Sequence, residues 1–189
     1  MQAPTAHHLG LYAYWEAKRG DRAMPARSDV WPADIPALLP FLLLVEKTGN
    51  LLHNRLIGSA LVRDLGQDPT GELTGTSLPD PNSAAEARAI FERVFTTGQP
   101  VFATGEFVFK SGDSHTMSLL ALPLSDDGQH VNMAISTLIG RPRLCETPRG
   151  WLKDVPVNVC QISEVNTRAG LERLCTLWEE RRFPAPALI

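Results

Sequence analysis

The histidines of this chain are the first candidates for acid–base chemistry. His53 falls on a strand-like segment, where an inward-facing acid such as Asp113 would complete the acid–base pair of a small-molecule enzyme. A cone-shaped α+β isomerase or hydratase fold would supply such a site. However, the chain has none of the phosphate-loop, hydrolase or zinc-protease motifs that mark common enzyme classes. The enzyme is therefore the alternative interpretation, and we expect no catalytic residue.

The cysteines and glycines do not indicate a metal or cofactor site. Cys145, Cys160 and Cys175 are far apart and form no C-x-x-C pair, so we expect free thiols in a reducing compartment and no metal. The glycine-rich stretch 71–77 lacks the lysine of a phosphate-binding loop. These patterns do not identify a cofactor.

The cluster Arg27-Ser28-Asp29 is the strongest candidate for a polar binding site in the sequence. Arg27 could recognise an anion, but prolines on both sides favour a fixed structural corner. We therefore assign Trp15, Arg27 and Asp29 to a structural corner near the N-terminus.

Arg55 is a second basic candidate, on a strand. Strict alternation places Arg55 and Ile57 on one side of that strand, and Asn54 and Leu56 on the other. Arg55 would be neutralised either by Glu46 across the hairpin or by the carboxylate of a ligand.

Composition limits the class of protein. The chain has 189 residues, of which 43% are hydrophobic and 21% are charged, with a formal net charge of -3. This apolar fraction is too high for a disordered chain, and the charge offers no general attraction for nucleic acid.

The longest apolar run, 35–45, contains Pro36 and Pro40, and no signal peptide is evident. We expect a cytoplasmic protein without nucleic-acid or membrane partners.

Periodicity and turn residues predict the elements that must position these side chains. Helices are expected over 6–19, 59–65, and from a capping box at Ser83 and Glu86 to Gly98. Strands are expected over 41–47, 52–57, 100–110, 115–124 and 130–139. Short hairpin connections force antiparallel neighbours, and the apolar stripe of the third helix must pack on the sheet. The pattern predicts an α+β domain.

That apolar stripe, which includes Phe91 and Phe95, belongs either to an ordinary core or to a cavity for a small apolar ligand. The candidate ligand-binding residues are Leu43, Arg55, Leu61, Leu65, Phe91, Phe95, Phe102 and Leu119.

An ordered series of short motifs over residues 11–140 resembles a bacterial family of stand-alone PAS-domain proteins. The motifs include Tyr14-Trp15, Pro25-Ala-Arg-Ser-Asp29, Leu38-Leu-Pro40, Asn54-Arg-Leu-Ile-Gly58, Gly98-Gln-Pro100 and Leu122-Pro-Leu124. Each is weak alone, and their order and spacing carry the resemblance. The part after residue 140 has no motif that matches.

The resemblance implies a five-stranded antiparallel sheet with helices on one face, extended by N-terminal and C-terminal helices. It divides the chain into an N-terminal helix and proline-rich corner (1–40), a PAS-like domain (41–140), and a linker, helix and tail (141–189). It also implies a sensory or regulatory module that acts through ligand binding or dimerisation, without catalysis.

The expected partners are a second copy of the chain or a signalling protein. The expected contact residues are Tyr12, on the first helix, and Trp178, on a C-terminal helix predicted over 167–181. A ligand-free structural dimer is the remaining alternative.

Overall fold

The computed structural model describes residues 4–78, 80–108, 114–142 and 161–164. These residues form three helices: α1 (Ala6–Arg19), α2 (Ser59–Leu65) and α3 (Pro81–Thr97). They also form six strands: β1 (Leu42–Thr48), β2 (Leu51–Ile57), β3 (Val101–Val108), β4 (Ser114–Leu124), β5 (Met133–Pro142) and β6 (Gln161–Glu164). Short 3-10 turns at Arg27–Asp29, Pro32–Asp34 and Leu39–Phe41 shape the proline-rich corner between α1 and β1.

The described strands form one antiparallel sheet in the order β2-β1-β5-β4-β3-β6. The predicted α+β fold and its five-stranded antiparallel sheet are confirmed, and β6 adds a short sixth strand along β3. The pairs β1–β2, β3–β4 and β4–β5 are antiparallel and join strands that follow one another in the sequence, as predicted. The pair β1–β5 joins strands that are distant in sequence, with Leu44 opposite Ile135.

Side chains alternate across the sheet, and both faces are covered. On one face, Leu120, Leu122 and Leu124 of β4 pack with α1 and the proline-rich corner. On the other, Leu119 and Ala121 pack with α3. The helices of the central domain therefore share one face, while the N-terminal extension covers the opposite one.

The starts of α3 and β5 each differ by three residues from the sequence predictions. α3 begins three residues earlier than predicted, because the Asp80 carboxylate, and not Ser83, caps it. Asp80 accepts hydrogen bonds from the backbone N–H and the hydroxyl of Ser83 at 2.7 and 2.8 Å, which lower the pKa of Asp80. β5 begins at Met133 and not at residue 130, because the Asp127 carboxylate holds the N–H groups of Gln129 and His130 in a turn.

α1 is anchored to the sheet by two polar contacts inside an apolar interface. The indole N–H of Trp15 donates to the carbonyl of Pro123 at 2.7 Å. His8 is fully buried in this interface. Its Nδ1 accepts from the Thr5 N–H at 2.8 Å, so the proton is on Nε2, which lies 3.2 Å from the Ser118 carbonyl. Both ring nitrogens are therefore satisfied in the neutral form.

The buried His8 should make folding stability dependent on pH. Burial, together with the nearby His7, lowers the pKa of His8 from 6.5 to about 4, against an opposing hydrogen bond to Ser118. The unfolded chain then binds a proton that the folded chain does not. The free energy of unfolding should be highest above pH 6.5 and fall by up to about 3 kcal/mol as the pH drops towards 4.

Urea denaturation at a series of pH values checks this expectation. His8→Gln should flatten the slope between pH 4 and 6.5. His7→Gln, at a half-buried neighbour, should leave most of the slope in place, because burial is the larger cause of the lowered pKa of His8. Equal slopes for the parent chain and His8→Gln would contradict the assignment.

Gly58, at the junction of β2 and α2, is required by a close backbone approach. A Cβ at this position would lie 2.3 Å from the Pro40 carbonyl oxygen and 2.5 Å from that of Leu39. The Gly58 N–H donates to the Leu42 carbonyl at 2.7 Å, so the two segments cannot easily separate.

We expect Gly58→Ala to destabilise the protein by about 1–3 kcal/mol through overpacking. Gly10→Ala is the matched control, because a Cβ there meets nothing within 4 Å. That change should stabilise α1 by up to about 1 kcal/mol. Thermal unfolding measures both variants, and a Gly58→Ala variant as stable as the parent chain would contradict the packing argument.

Candidate functional site

A cavity of about 100 Å³ lies between the sheet and the elements that cover its α3 face. Its walls come from β1 to β5, α2, α3 and the loop 67–78 that connects α2 to α3. The lining residues are Leu43, Asn54, Ile57, Leu61, Asp64, Leu65, Pro69, Thr74, Gly75, Ser77, Leu78, Ala87, Ile90, Phe91, Ala103, Thr104, Gly105, Met117, Leu119 and Leu138. Most of these side chains are apolar, as in small-molecule sites generally.

The cavity exists because small residues stand where larger ones would fill the space. Ala87 lines it from α3, and Ala103 and Gly105 line it from β3. Gly75 lines it from the loop and cannot carry a side chain, since a Cβ there would lie 2.8 Å from the Ala84 carbonyl oxygen. Its φ of +90° also favours glycine.

A β-bulge in β2 turns two of its side chains towards the cavity. Val45 pairs with Asn54 and Leu44 pairs with Leu56, so Arg55 is an extra residue between the two pairs. The bulge shifts the alternation, and both Asn54 and Ile57 line the cavity while Leu56 is exposed. Strict alternation had placed Asn54 and Ile57 on opposite sides, which is wrong for this reason.

Asn54 holds the loop 67–78 against the outer edge of β2. Its backbone N–H donates to the Glu72 carbonyl at 2.9 Å, and its carbonyl accepts from Gly71 at 2.7 Å. Its side-chain amide donates to the Pro69 carbonyl at 3.3 Å and accepts from the Thr74 hydroxyl at 2.9 Å. Only 4% of Asn54 is exposed. Together with the Thr74 N–H, which donates to the Leu52 carbonyl at 2.8 Å, it ties the loop to the sheet.

Asp64 introduces negative charge at the edge of the cavity. It is the one ionisable side chain among the described lining residues. Its Oδ1 lies 3.6 Å from Nε of Arg63, an ion pair in which both side chains are solvent-accessible. Such an exposed pair contributes little to stability.

The structure brings together five of the eight candidate ligand-binding residues. The five that line the cavity are Leu43, Leu61, Leu65, Phe91 and Leu119. Sequence periodicity found them because each belongs to the apolar face of a regular element. Their part in ligand binding stays a prediction.

The other three candidates lie outside the cavity. Arg55 is exposed on the bulge, with Nε 3.3 Å from Oε2 of Glu46, which is the partner that the hairpin predicted. Phe102 packs on the opposite face of the sheet, edge-on to His8. Phe95 packs against the edge of the core between α3 and the sheet, with the Lys47 ammonium over its ring.

The structural-corner residues make internal contacts. The Arg27 guanidinium donates to the Val30 carbonyl at 3.0 Å, and its backbone N–H donates to Asp126. Asp29 accepts from the Ala26 N–H and pairs with Arg22 at 2.8 Å, and these contacts lower the pKa of Asp29. Trp15 is buried on the sheet, as described above.

The remaining predicted residues do not form a second site in the described part of the chain. Tyr12 is 2% exposed and packs in the core between α1 and the sheet, so its ring is not at a surface. His53 is half-buried and does not line the cavity. Asp113, Trp178, the helix predicted over 167–181 and the three cysteines lie outside the described residues.

No group of three or more His, Cys, Asp or Glu side chains within residues 4–78, 80–108, 114–142 and 161–164 is placed to hold a metal ion. Across the same ranges, no helix has the length and apolar character needed to cross a bilayer.

Sequence reasoning missed the polar residues of the cavity wall, above all Asn54 and Thr74. One signal was available, since Asn54 is a polar residue between apolar neighbours on a strand. The partner Thr74 lies in an irregular loop, where periodicity carries no information.

The chain is thus a small α+β domain with a cavity between an antiparallel sheet and a covering helix. A family model described as a PAS domain matches residues 1–139. The chain therefore belongs to this PAS-domain family, as the resemblance in its sequence indicated. This membership supports a sensory module. Among curated proteins, none matches the chain.

Solved structures with a similar fold are PAS and light-oxygen-voltage domains. The PAS domain of Bordetella pertussis BvgS is 16% identical, with 79% of this chain and 93% of that chain covered and a TM-score of 0.47. A Rhodobacter sphaeroides LOV protein is 14% identical, with coverage of 59% and 67% and a TM-score of 0.48. A light-oxygen-voltage domain studied with a flavin analogue is 10% identical, with coverage of 59% and 84% and a TM-score of 0.49. These likenesses are low, so the family assignment rests on the match over residues 1–139.

Asn54→Ala should loosen the loop 67–78 without unfolding the domain. Loss of the amide contacts with Pro69 and Thr74 should speed hydrogen exchange at the Gly71 and Thr74 amides by about tenfold or more, equivalent to about 1.4 kcal/mol or more. Asn82→Ala, an exposed change on α3, is the control. If both variants leave exchange in the loop unchanged, the Asn54 side chain does not hold it.

Proposed function

We propose that this chain is a sensory or regulatory PAS module that binds a small molecule in the cavity beneath α3. The observation that carries the proposal is the cavity itself, about 100 Å³ in volume and mainly apolar. Left empty, an apolar cavity of this volume destabilises a fold by about 2 kcal/mol, at about 24 cal/mol per Å³. A bound molecule would restore the lost contacts.

The loop 67–78 supports a mechanism for exchange of the ligand. Its attachment to β2 consists of a few hydrogen bonds around Asn54, and two of its residues, Gly71 and Gly75, have φ near +90°. Segments held by few contacts open locally at a smaller free-energy cost than the whole domain. Opening of this loop would give a ligand access to the cavity, and closure would shield it from water.

The enzyme alternative gains little support from the cavity wall. His53, the base of the proposed acid–base pair, is not one of the lining residues. Asp64 alone would have to serve as acid or base, and it is paired with Arg63 at the edge. We therefore assign the cavity to binding, without a catalytic step.

Association with a second copy or with a signalling protein completes the proposal. A sensory domain acts by changing a contact with another protein or domain, and the family resemblance implies dimerisation as one route. Because Tyr12 is inside the core, it would reach a partner only indirectly, through the position of α1. We propose a cytoplasmic homodimer, and light scattering of the purified chain would measure its mass directly.

A matched pair of substitutions on α3 tests ligand binding. Ala87→Leu projects into the cavity, and we expect it to raise the free energy of unfolding of the ligand-free protein by about 1 kcal/mol while excluding the ligand. Ala89→Leu, at an exposed position of the same helix, should change stability by less than about 0.5 kcal/mol and retain the ligand.

Native mass spectrometry of freshly isolated protein and thermal unfolding provide the two readouts. The proposal predicts a small molecule bound to the parent chain and to Ala89→Leu but absent from Ala87→Leu. An unliganded parent chain, combined with an Ala87→Leu variant that is less stable than the parent, would count decisively against a ligand-binding cavity.

A further inference from the structure

We infer that the cavity takes a small uncharged molecule with an apolar body and one hydroxyl or carbonyl group, which hydrogen-bonds to the Asn54–Thr74 pair. This inference rests on the proposed function and specifies the chemical class of its ligand. Three properties of the cavity carry it: its volume, the placement of its buried polar groups, and its charge.

The volume favours a ligand of about the size of one substituted six-membered ring. An apolar cavity of about 150 Å³ in a protein core accepts benzene. The cavity described here, at about 100 Å³, is of similar size, so a six-membered ring or a short branched chain is near its upper limit.

The buried polar groups of the wall leave hydrogen-bonding capacity for one ligand group. Asn54 and Thr74 are 4% and 5% exposed, and both line the cavity. The Thr74 hydroxyl donates its hydrogen to Oδ1 of Asn54, which leaves the Thr74 oxygen able to accept. The Asn54 amide nitrogen carries two hydrogens, and the bond to the Pro69 carbonyl uses one of them.

The pair can therefore accept a hydrogen bond at the Thr74 oxygen and offer one from the Asn54 amide. A hydroxyl on the ligand can use either contact, and a carbonyl can use the amide. Two further polar lining side chains are accounted for: Ser77 already donates to the Glu72 carboxylate at 2.8 Å within the loop. Alternation along β3 places the Thr104 side chain with Phe102 on the opposite face of the sheet. The Asn54–Thr74 pair is thus the site that a polar ligand group would recognise, since burying that group without a partner would cost binding energy.

The charge of the wall disfavours an ionised ligand, and an anion most of all. Asp64 is the only ionisable residue among the described lining residues, and its carboxylate would repel a negative group. No lysine, arginine or histidine from the same set is present to pair with a carboxylate. Transfer of an unpaired ion into such an apolar space is strongly unfavourable.

Four probe molecules of equal heavy-atom count test these properties on the full chain. Toluene and phenol differ by one hydroxyl, and isovaleramide and isovalerate differ by charge. Binding is measured by calorimetry and by chemical-shift changes of the cavity methyl groups at neutral pH, after any retained molecule is removed. We expect phenol to bind more tightly than toluene, and isovaleramide to bind at least about tenfold more tightly than isovalerate.

Two substitutions at Thr74 test whether its hydroxyl makes the hydrogen bond to the ligand. Thr74→Val keeps the shape and removes the hydroxyl, and it should lower the ratio of the phenol to toluene association constants by about fivefold. Thr74→Ser should restore the ratio. Toluene binding is the internal control for an intact cavity in each variant, because toluene makes no hydrogen bond.

The possible failures are distinguishable. If toluene binds the parent chain more tightly than phenol, or if Thr74→Val leaves the ratio unchanged, the polar contact is wrong while the ligand-binding cavity stands. If isovalerate binds as well as isovaleramide, the assignment of an uncharged ligand is overturned. If none of the probes binds and no molecule is retained by native protein, the proposed function fails together with the inference.

Discussion

The antiparallel pairing of β1 with β5 is the constraint on which the rest of this structure depends. It joins the N-terminal hairpin to the strands that follow α3, and it places Leu44 beside Ile135 and Val45 beside Ala134. The paired strands lie at the centre of a sheet whose two faces are both covered. Their backbone N–H and C=O groups therefore have to bond within the sheet, since no water reaches them there.

A sheet covered on both sides needs two apolar faces, and this protein uses them differently. The face under α1 is closed by large side chains such as Leu120 and Leu122, with Trp15 and His8 providing polar anchors. The face under α3 includes Ala103 and Gly105, which leave space below the helix. Dense packing on one side thus supports a cavity on the other, because the sheet stays rigid while one of its faces is incompletely filled.

Regular elements were predictable from the sequence because their patterns are local. Periodicity identified α1 and α2 with their observed bounds, and Leu61, Phe91 and Leu119 as inward-facing residues. Errors arose where one side chain or one extra residue overrode the pattern. Asp80 caps α3 in place of Ser83. The bulge at Arg55 brings Ile57 to the same side as Asn54, where strict alternation had separated them. Phe102 has the apolar character of a cavity residue, yet its parity along β3 places it on the opposite face.

The sequence by itself determined the family, the order of elements and the apolar positions, because motif spacing and hydrophobic period are properties of neighbouring residues. The tertiary structure alone decided which face each element covers and where space remains. It also brought Asn54 and Thr74 together across the loop 67–78, and it buried His8 in neutral form beneath α1. Those outcomes depend on contacts between residues far apart in the chain, and no local pattern encodes such contacts.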